Sequence, residues 1–285
     1  MLHRKKVLLI LDDVDKQDQL HALVGHPDWF GDGSRIVVTT RDRQLLVSHG
    51  VETRYELDVL TENEALELLC WKAFKTNKVG KGYEEILKRS VLYASCLPLA
   101  LELIGSTLCG KSIEEWKSAI DEFEVIPPKE IQKILKISFD ALEEKEQQIF
   151  LDIACFFKGY ELLEVEDILS AHYGVSVKYH IRVLVDKCLI KIEPFPKTVK
   201  LHDLIEDMGK EIVKQESPQD AGERNRLWLH QDIIHVLEEN KGSRKIQIMI
   251  LNFPYFEEGV VDWDGKALEK MENLKTLIIR NAFFL

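Results

Sequence analysis

Cysteine is scarce in this sequence and is not arranged in pairs. Five cysteines occur among 285 residues, and none of them forms a CxxC arrangement. Structural zinc sites and disulfide frameworks need cysteines at short, recurring spacings, so the sequence predicts neither. This usage is typical of a reducing compartment, and we expect the protein to be cytoplasmic.

Long hydrophobic runs are lacking as well. The N-terminal sequence MLHRKKVLLILDDVD begins like a signal peptide, but only five apolar residues, Val7 to Leu11, precede Asp12 and Asp13. The longest later apolar stretch contains Asp152. An export signal and a membrane-spanning helix both need longer uninterrupted apolar segments, so we predict neither.

Positive charge is outnumbered by negative charge. The sequence holds 38 Lys and Arg residues against 49 Asp and Glu residues, which gives a formal net charge of -11. Because nucleic-acid binders neutralise phosphates with a concentrated Lys/Arg surface, this balance disfavours nucleic acid as a partner. What the chain does have is 45% hydrophobic residues, enough for two or three small domains with cores of their own.

Residues 1–58 alternate between strand-like and helix-like patterns. Val7 to Leu11 is a continuous apolar run, as expected of a parallel strand buried on both faces, and Arg35 to Thr40 forms a second short strand. A polar amphipathic stretch and a turn-rich segment lie between them. This β-α-β order predicts a parallel sheet in a doubly wound α/β layer.

Residues 59–127 follow a helical period. Thr61 to Glu64 and Ser112 to Glu115 each form a capping box, whose two end residues satisfy orphan amides at the start of a helix. Pro127 and Pro128 then break the pattern. We predict a small helical bundle.

Residues 128–240 combine helices with a hairpin. Apolar helical patterns cover 147–157, 165–171 and 177–188. Two alternating runs, 189–193 and 198–201, follow around a proline-bearing turn, and one more helical pattern closes the segment at 204–215. Three helices followed by a β-hairpin predict a winged-helix domain.

Residues 241–285 contain two further apolar runs. The first is 246–251, and the second, 274–279, matches part of the LxxLxL strand of a leucine-rich repeat. The segment is predicted to be the onset of such repeats.

The strand ends carry the residues with the clearest chemistry. An apolar strand that ends in two carboxylates is suited to phosphates, because Asp12 can hold Mg²⁺ through water while Asp13 orients an attacking water. The alternative is that both acids are solvated or cap a neighbouring helix. At the end of the second strand, Arg41 is placed to reach a terminal phosphate, with Thr39 or Thr40 as a hydroxyl partner. The alternative for Arg41 is a surface ion pair with Asp13 or Asp42.

Five motifs in order resemble one family, the plant NB-ARC leucine-rich-repeat disease-resistance proteins. They are LLILDDVD (8–15), similar to the Walker B motif; GSRIVVTTRD (33–42), similar to the sensor motif; CLPLALELIG (96–105), similar to GLPLA; CFFKG (155–159), similar to a helix-end motif; and LHDLIEDMGKEIV (201–213), similar to MHD. The sequence around Trp29 and Asp152 resembles that of the subclass with a Toll/interleukin-receptor (TIR) domain, a domain that this sequence lacks.

The resemblance implies a fold and a set of ligand contacts. Residues 1–58 would be the C-terminal part of a P-loop-NTPase-like nucleotide-binding domain, and the next two segments its ARC1-like and ARC2-like domains. The implied cofactors are ADP or ATP and Mg²⁺. Pro98 would lie against the adenine, and His202 would contact the β-phosphate of ADP. Each has a plainer alternative: Pro98 as a first-turn proline, and His202 as the residue before a helix that Asp203 caps.

Three departures from the family pattern stand out. Cys96 replaces the first glycine of GLPLA, Leu201 replaces the methionine of MHD, and no GxxxxGK[ST] phosphate loop follows a predicted strand, since the one match to that spacing, 105–112, lies within the predicted helical bundle. Without that loop and its lysine, bound ADP loses several charge-assisted hydrogen bonds, each on the order of 1.5 to 3 kcal/mol, against about 8 kcal/mol for micromolar binding. We therefore expect this chain by itself to bind nucleotide weakly.

The resemblance implies a regulatory switch in defense signal transduction, with at most slow ATP hydrolysis. Its partners would be nucleotide and other receptor chains or immune-signalling proteins. Two alternatives remain: a truncated partner, adaptor or inert product of the same family, and a winged-helix DNA-binding protein that uses 177–188 as recognition helix. The second is disfavoured, because 130–214 carries 12 Lys/Arg against 16 Asp/Glu.

Overall fold

The structure, a computed structural model, describes residue 3 and residues 5–25, 29–75, 82–125, 128–252 and 265–280. Within these ranges the molecule is mainly helical and contains three small sheets. No helix of the described ranges is both long and apolar enough to cross a membrane.

The first segment has the β-α-β order that its sequence predicts. Its elements are β1 (Leu8–Leu11), α1 (Gln17–Val24), β2 (Arg35–Val38) and α2 (Arg43–Ser48). The two strands are parallel, with Leu9 opposite Ile36. A small core around Leu20 forms beneath them.

The expectation that the first strand is buried on both faces is wrong for the described residues. Leu9 and Leu11 pack on the small core, whereas Leu8 and Ile10 are 66% and 63% exposed. Successive side chains of a strand point to opposite faces, and the helices of this segment cover only one of them.

The second segment is the predicted helical bundle. Its helices are α3 (Glu62–Phe74), α4 (Glu84–Tyr93), α5 (Pro98–Leu108) and α6 (Ile113–Val125). Both predicted capping boxes are confirmed: Glu64 accepts from the Thr61 amide at 2.9 Å, and Glu115 accepts from the Ser112 amide at 2.7 Å. Fully buried Trp116 fills the core and donates its indole N–H to a backbone carbonyl.

The third segment contains the predicted helices and hairpin. Its elements are α7 (Lys129–Asp140), α8 (Glu144–Asp152) with a π-helical turn (Ile153–Phe157), α9 (Leu162–Tyr173), α10 (Lys178–Asp186), β3 (Lys191–Ile192), β4 (Val199–Lys200) and α11 (Asp203–Glu216). The two strands are antiparallel. A Cβ atom at Gly209 would lie 2.6 Å from the Ala154 side chain, so glycine lets α11 cross the π-helical turn closely.

Helix α11 joins two hydrophobic cores. Leu204, in its first turn, packs into the core of the helical bundle. Met208 and Val213, further along, pack into the core of the hairpin-bearing segment. This helix therefore holds the two segments together.

A parallel sheet closes the described chain. Its strands are β5 (Arg226–Leu227), β6 (Ile248–Asn252) and β7 (Thr276–Arg280), in that order, and α12 (His230–Glu238) and α13 (Lys266–Glu269) accompany it. Met249 and Leu251 face a core shared with Ile233 and Leu237 of α12, so residues on both sides of position 240 pack together. Ile248 and Ile250 face the other way, into the core of the preceding segment.

Candidate functional site

Asp12 and Asp13 meet the second strand at the carboxyl edge of the sheet. The hydroxyl of Thr39 donates to the Asp12 carboxylate and accepts from the Asp13 amide at 2.9 Å. Asp13 has a left-handed backbone, with φ of 52°, which aspartate tolerates better than most residues. The parallel register therefore brings the predicted carboxylates to the end of both strands.

Arg41 lies at the same edge and contacts Asp13. Its Nη2 donates to Asp13 Oδ2 at 3.3 Å, and its Nε lies 3.3 Å from Oδ1. Both side chains are exposed, and such pairs contribute roughly 0 to 1 kcal/mol. The ion-pair alternative for Arg41 is thus present, but it is weak enough for another anion to displace.

Thr40 is occupied by the backbone rather than turned toward the carboxylates. Its hydroxyl donates to the Val14 carbonyl at 2.6 Å and accepts from the Asp42 amide at 3.0 Å. Asp42 in turn accepts from the Gln44 amide at 2.9 Å and so caps α2. These bonds make the residues after β2 a tight, well-defined turn.

Pro98 begins α5, as its first-turn alternative predicts. The loop before it is unusual, because Ser95 and Cys96 have positive φ angles of 45° and 58°. Glycine adopts this conformation most easily, which explains why the family pattern has glycine at the position of Cys96. Desolvation by burial, followed by the charge of Glu62, raises the pKa of the Cys96 thiol.

His202 connects the start of α11 to this loop. Its Nδ1 accepts from the Leu204 amide at 3.3 Å, so its Nε2 carries the proton and donates to the Ser95 carbonyl at 3.2 Å. Burial lowers the pKa of His202 and thereby favours this neutral form. The expectation that Asp203 caps the helix is wrong: His202 is itself the N-cap residue.

Asp203 strengthens the same junction. The Ser95 hydroxyl donates to its carboxylate at 2.6 Å, and Lys158 pairs with both Asp203 and Glu206. Burial acts to raise the pKa of Asp203, but the hydrogen bonds from Lys158 and Ser95 outweigh it and lower the pKa. The sequence reasoning assigned no role to Ser95 or Lys158, although Lys158 lies within one of the quoted motifs.

The predicted residues thus form two groups, the strand edge with Asp12, Asp13 and Arg41, and the junction of His202 with the loop before Pro98. No hydrogen bond or ion pair between described residues joins the two groups. An open cleft lies away from both, lined by polar residues near the start of the C-terminal sheet.

A magnesium ion with a nucleotide fits the strand edge better than a metal held by protein alone. The described ranges contain no group of three or more His, Cys, Asp or Glu side chains placed to hold a metal. Mg²⁺ is normally bound by one or two carboxylates, substrate phosphates and water, and Asp12 supplies one such carboxylate.

Comparison with known proteins agrees with these features. The NB-ARC domain family matches residues 1–79, and the family described as the winged-helix domain of Roq1-like disease resistance proteins matches residues 143–217. NB-ARC domains bind nucleotide and have a P-loop-NTPase-like fold.

Similar curated proteins come from several plants. TMV resistance protein N of Nicotiana glutinosa is 42% identical over 96% of this chain, which covers 23% of that protein. Disease resistance protein RUN1 of Vitis rotundifolia and disease resistance protein TAO1 of Arabidopsis thaliana are each 36% identical over 99% of the chain, which covers 21% and 24% of them. The chain therefore spans less than a quarter of the length of these relatives. It belongs to the TIR-type NB-ARC disease-resistance proteins of plants.

Proposed function

We propose that this chain is the ADP/ATP-binding regulatory switch module of a plant immune receptor that acts in defense signal transduction. The observation that carries the proposal is the contact of His202 with the Ser95 carbonyl, which ties the winged-helix domain to the loop before Pro98. Because His202 contacts this loop, a nucleotide bound at the loop would also act on His202. Nucleotide binding and the position of the winged-helix domain are thereby linked.

Each site residue would contact a different part of the nucleotide or its metal ion. Asp12 would hold Mg²⁺ through water, with Asp13 beside it, and Arg41 would exchange Asp13 for a terminal phosphate. Pro98 would pack against the adenine, and His202 would approach the β-phosphate. Thr40 would assist Arg41, although its hydroxyl is engaged with Val14 and Asp42.

The first prediction concerns the affinity of the chain. The one match to GxxxxGK[ST], 105–112, joins α5 to α6 and does not follow a strand, so it is not a phosphate loop. We therefore expect isothermal calorimetry with ADP and Mg²⁺ to give a dissociation constant weaker than about 10 μM. Addition of the same nucleotide to R41A should show still weaker binding. Tight, Mg²⁺-dependent binding by the unaltered chain would contradict the expectation of weak affinity.

The proposal extends to domains, location and partners. We assign 1–58 to the nucleotide-binding domain, 59–127 to an ARC1-like domain, 128–240 to an ARC2-like winged-helix domain and 241–285 to the onset of leucine-rich repeats. The protein would act in the cytoplasm with other receptor chains or immune-signalling proteins, with at most slow ATP hydrolysis. A partner or adaptor role within the same family remains the alternative.

DNA binding by the winged helix has less support. Two cations of α10 have acidic partners: Lys178 lies 3.7 Å from Glu166, and Arg182 donates to Asp186 at 3.1 Å. Paired cations attract phosphates less strongly than free ones do. A gel-shift assay with duplex DNA that stays positive in the presence of excess ADP would reverse this ranking.

A further inference from the structure

An ion pair joins the turn after β2, the strand of the sensor motif, directly to the winged-helix domain. Lys187 Nζ lies 2.7 Å from Asp42 Oδ2, and the two side chains are only 27% and 17% exposed. A second pair between the same two parts, Lys191 with Glu56, is longer, at 3.9 Å, and is 65% and 68% exposed. Because charges attract more strongly where water is partly excluded, the first pair is the stronger of the two.

Both ends of this ion pair are held by local structure. One oxygen of Asp42 accepts from the Gln44 amide, which leaves the other directed at the lysine. Lys187 follows α10 and donates its amide to the Val183 carbonyl at 2.8 Å, and Cys188 then turns the chain with φ of 57°. Since the Asp42 side chain and the backbone of Lys187 are already fixed, the pair forms at a lower entropic cost than a pair between two mobile surface residues.

The same turn connects the ion pair to the strand edge. Asp42 directly follows Arg41, and its amide donates to the Thr40 hydroxyl, which itself donates to Val14. The ion pair and the strand edge therefore belong to one hydrogen-bonded turn.

We propose that Asp42 and Lys187 form a clasp that holds the winged-helix domain against the end of the sensor strand through protein contacts alone. The clasp opposes separation of the two domains. This inference rests on the proposed function, because a switch has an open form and the clasp opposes that form.

Hydrogen–deuterium exchange of the 285-residue chain tests the clasp without nucleotide. In K187E, we expect amides of residues 43–48 and 187–190 to exchange about three- to tenfold faster than in the unaltered chain, because loss of a partly buried ion pair favours local opening by about this factor. K191E is the matched control and should change the exchange rates by less than about twofold. D42N also removes the ion pair but keeps an oxygen for the Gln44 amide, so it should speed exchange in the same two segments as K187E does.

A charge swap provides the rescue. D42K/K187D restores an ion pair and should return exchange at 187–190 to within about twofold of the unaltered chain, whereas D42K alone should not. The proposal is overturned if K187E behaves like K191E, or if the swap is as fast as the single variants. Absence of ADP binding even at millimolar nucleotide would overturn the nucleotide proposal and leave these exchange rates unaffected.

Discussion

At the scale of single residues, His202 shows how one side chain can serve two segments. It caps α11 through Nδ1 and donates from Nε2 to the loop before Pro98, and the capping bond requires the neutral ring because Nδ1 accepts in it. The sequence identified the residue through its motif, but the carbonyl it contacts lies 107 positions earlier. Nothing in local spacing could have paired His202 with Ser95.

The pH dependence of stability follows from the buried neutral histidine. The pKa of His202 is lowered in the folded chain, so the folded state binds its proton less readily than the unfolded state does. Its stabilising contribution is complete above the unfolded pKa of about 6.5 and is lost as the pH falls toward the lower folded pKa. We expect the urea concentration at the midpoint of unfolding to decrease as the pH is lowered from 7.5 to 5.

His172 is a second source of this effect, so a variant is needed. Burial lowers the pKa of His172 too, and its Nδ1 lies 2.8 Å from the Thr276 hydroxyl. H202N keeps a good N-cap residue while removing one titrating ring. The urea midpoint of H202N should then decrease less on acidification than that of the unaltered chain. An equal decrease in both would show that His202 contributes nothing to the pH dependence.

At the scale of elements, a buried ion pair fixes β5 against the end of α8. Arg226 Nε donates to Asp152 Oδ1 at 2.7 Å, and the two side chains are 4% and 0% exposed. Arg226 also donates to Gln148, and Tyr173 donates to the other oxygen of Asp152 at 2.5 Å. Burial acts to lower the pKa of Arg226, but the Asp152 charge outweighs it and keeps the guanidinium protonated.

Removing one partner of this pair should be far more harmful than removing a neighbour. D152N leaves the Arg226 charge buried without a counter-ion, so we expect a loss of about 3 to 5 kcal/mol in the free energy of unfolding. Y173F removes a single hydrogen bond and should cost about 1 kcal/mol. Urea denaturation measures both.

A double variant separates charge from packing. D152N/R226M removes the uncompensated charge and should recover part of the stability that D152N loses. Equal losses for D152N and Y173F would contradict the view that the buried charge dominates.

At the scale of the whole molecule, the described parts are joined in two different ways. The C-terminal sheet shares Ile248 and Ile250 with the winged-helix core, whereas charged contacts such as the clasp join the first segment to that domain. Residues 51–60, between the first segment and the helical bundle, contain no helix or strand, and Tyr55 and Leu57 are each 84% exposed. Added salt does not weaken the packing of buried apolar side chains, whereas it screens the attraction in partly exposed ion pairs.

Limited trypsin digestion should therefore begin at the connection between residues 51 and 60. We expect early cleavage after Arg54, which leaves a resistant fragment that begins at Tyr55 and retains the C-terminal sheet. Raising the salt concentration should speed this cut, and R54Q should remove it. A resistant fragment that begins near Met1 would contradict the expected weakness of the first segment.

Sequence alone predicted the features that depend on neighbours along the chain. The capping boxes at Thr61 and Ser112 were predictable because each involves side chains three residues apart. The first strand followed from a continuous apolar run, and the hairpin from alternating hydrophobicity. The carboxylates at the end of β1 and Arg41 at the end of β2 were predictable because parallel strands place their ends together.

Tertiary structure alone decided which distant groups meet. It left one face of β1 exposed, directed His202 to a backbone carbonyl, and paired Asp42 with Lys187 and Asp152 with Arg226. Hydrophobic periodicity specifies which face of an element is buried, but not which residue of a remote element it meets. Partner choice among charged groups depends on how the segments dock, and that docking is settled by the packing of the cores as a whole.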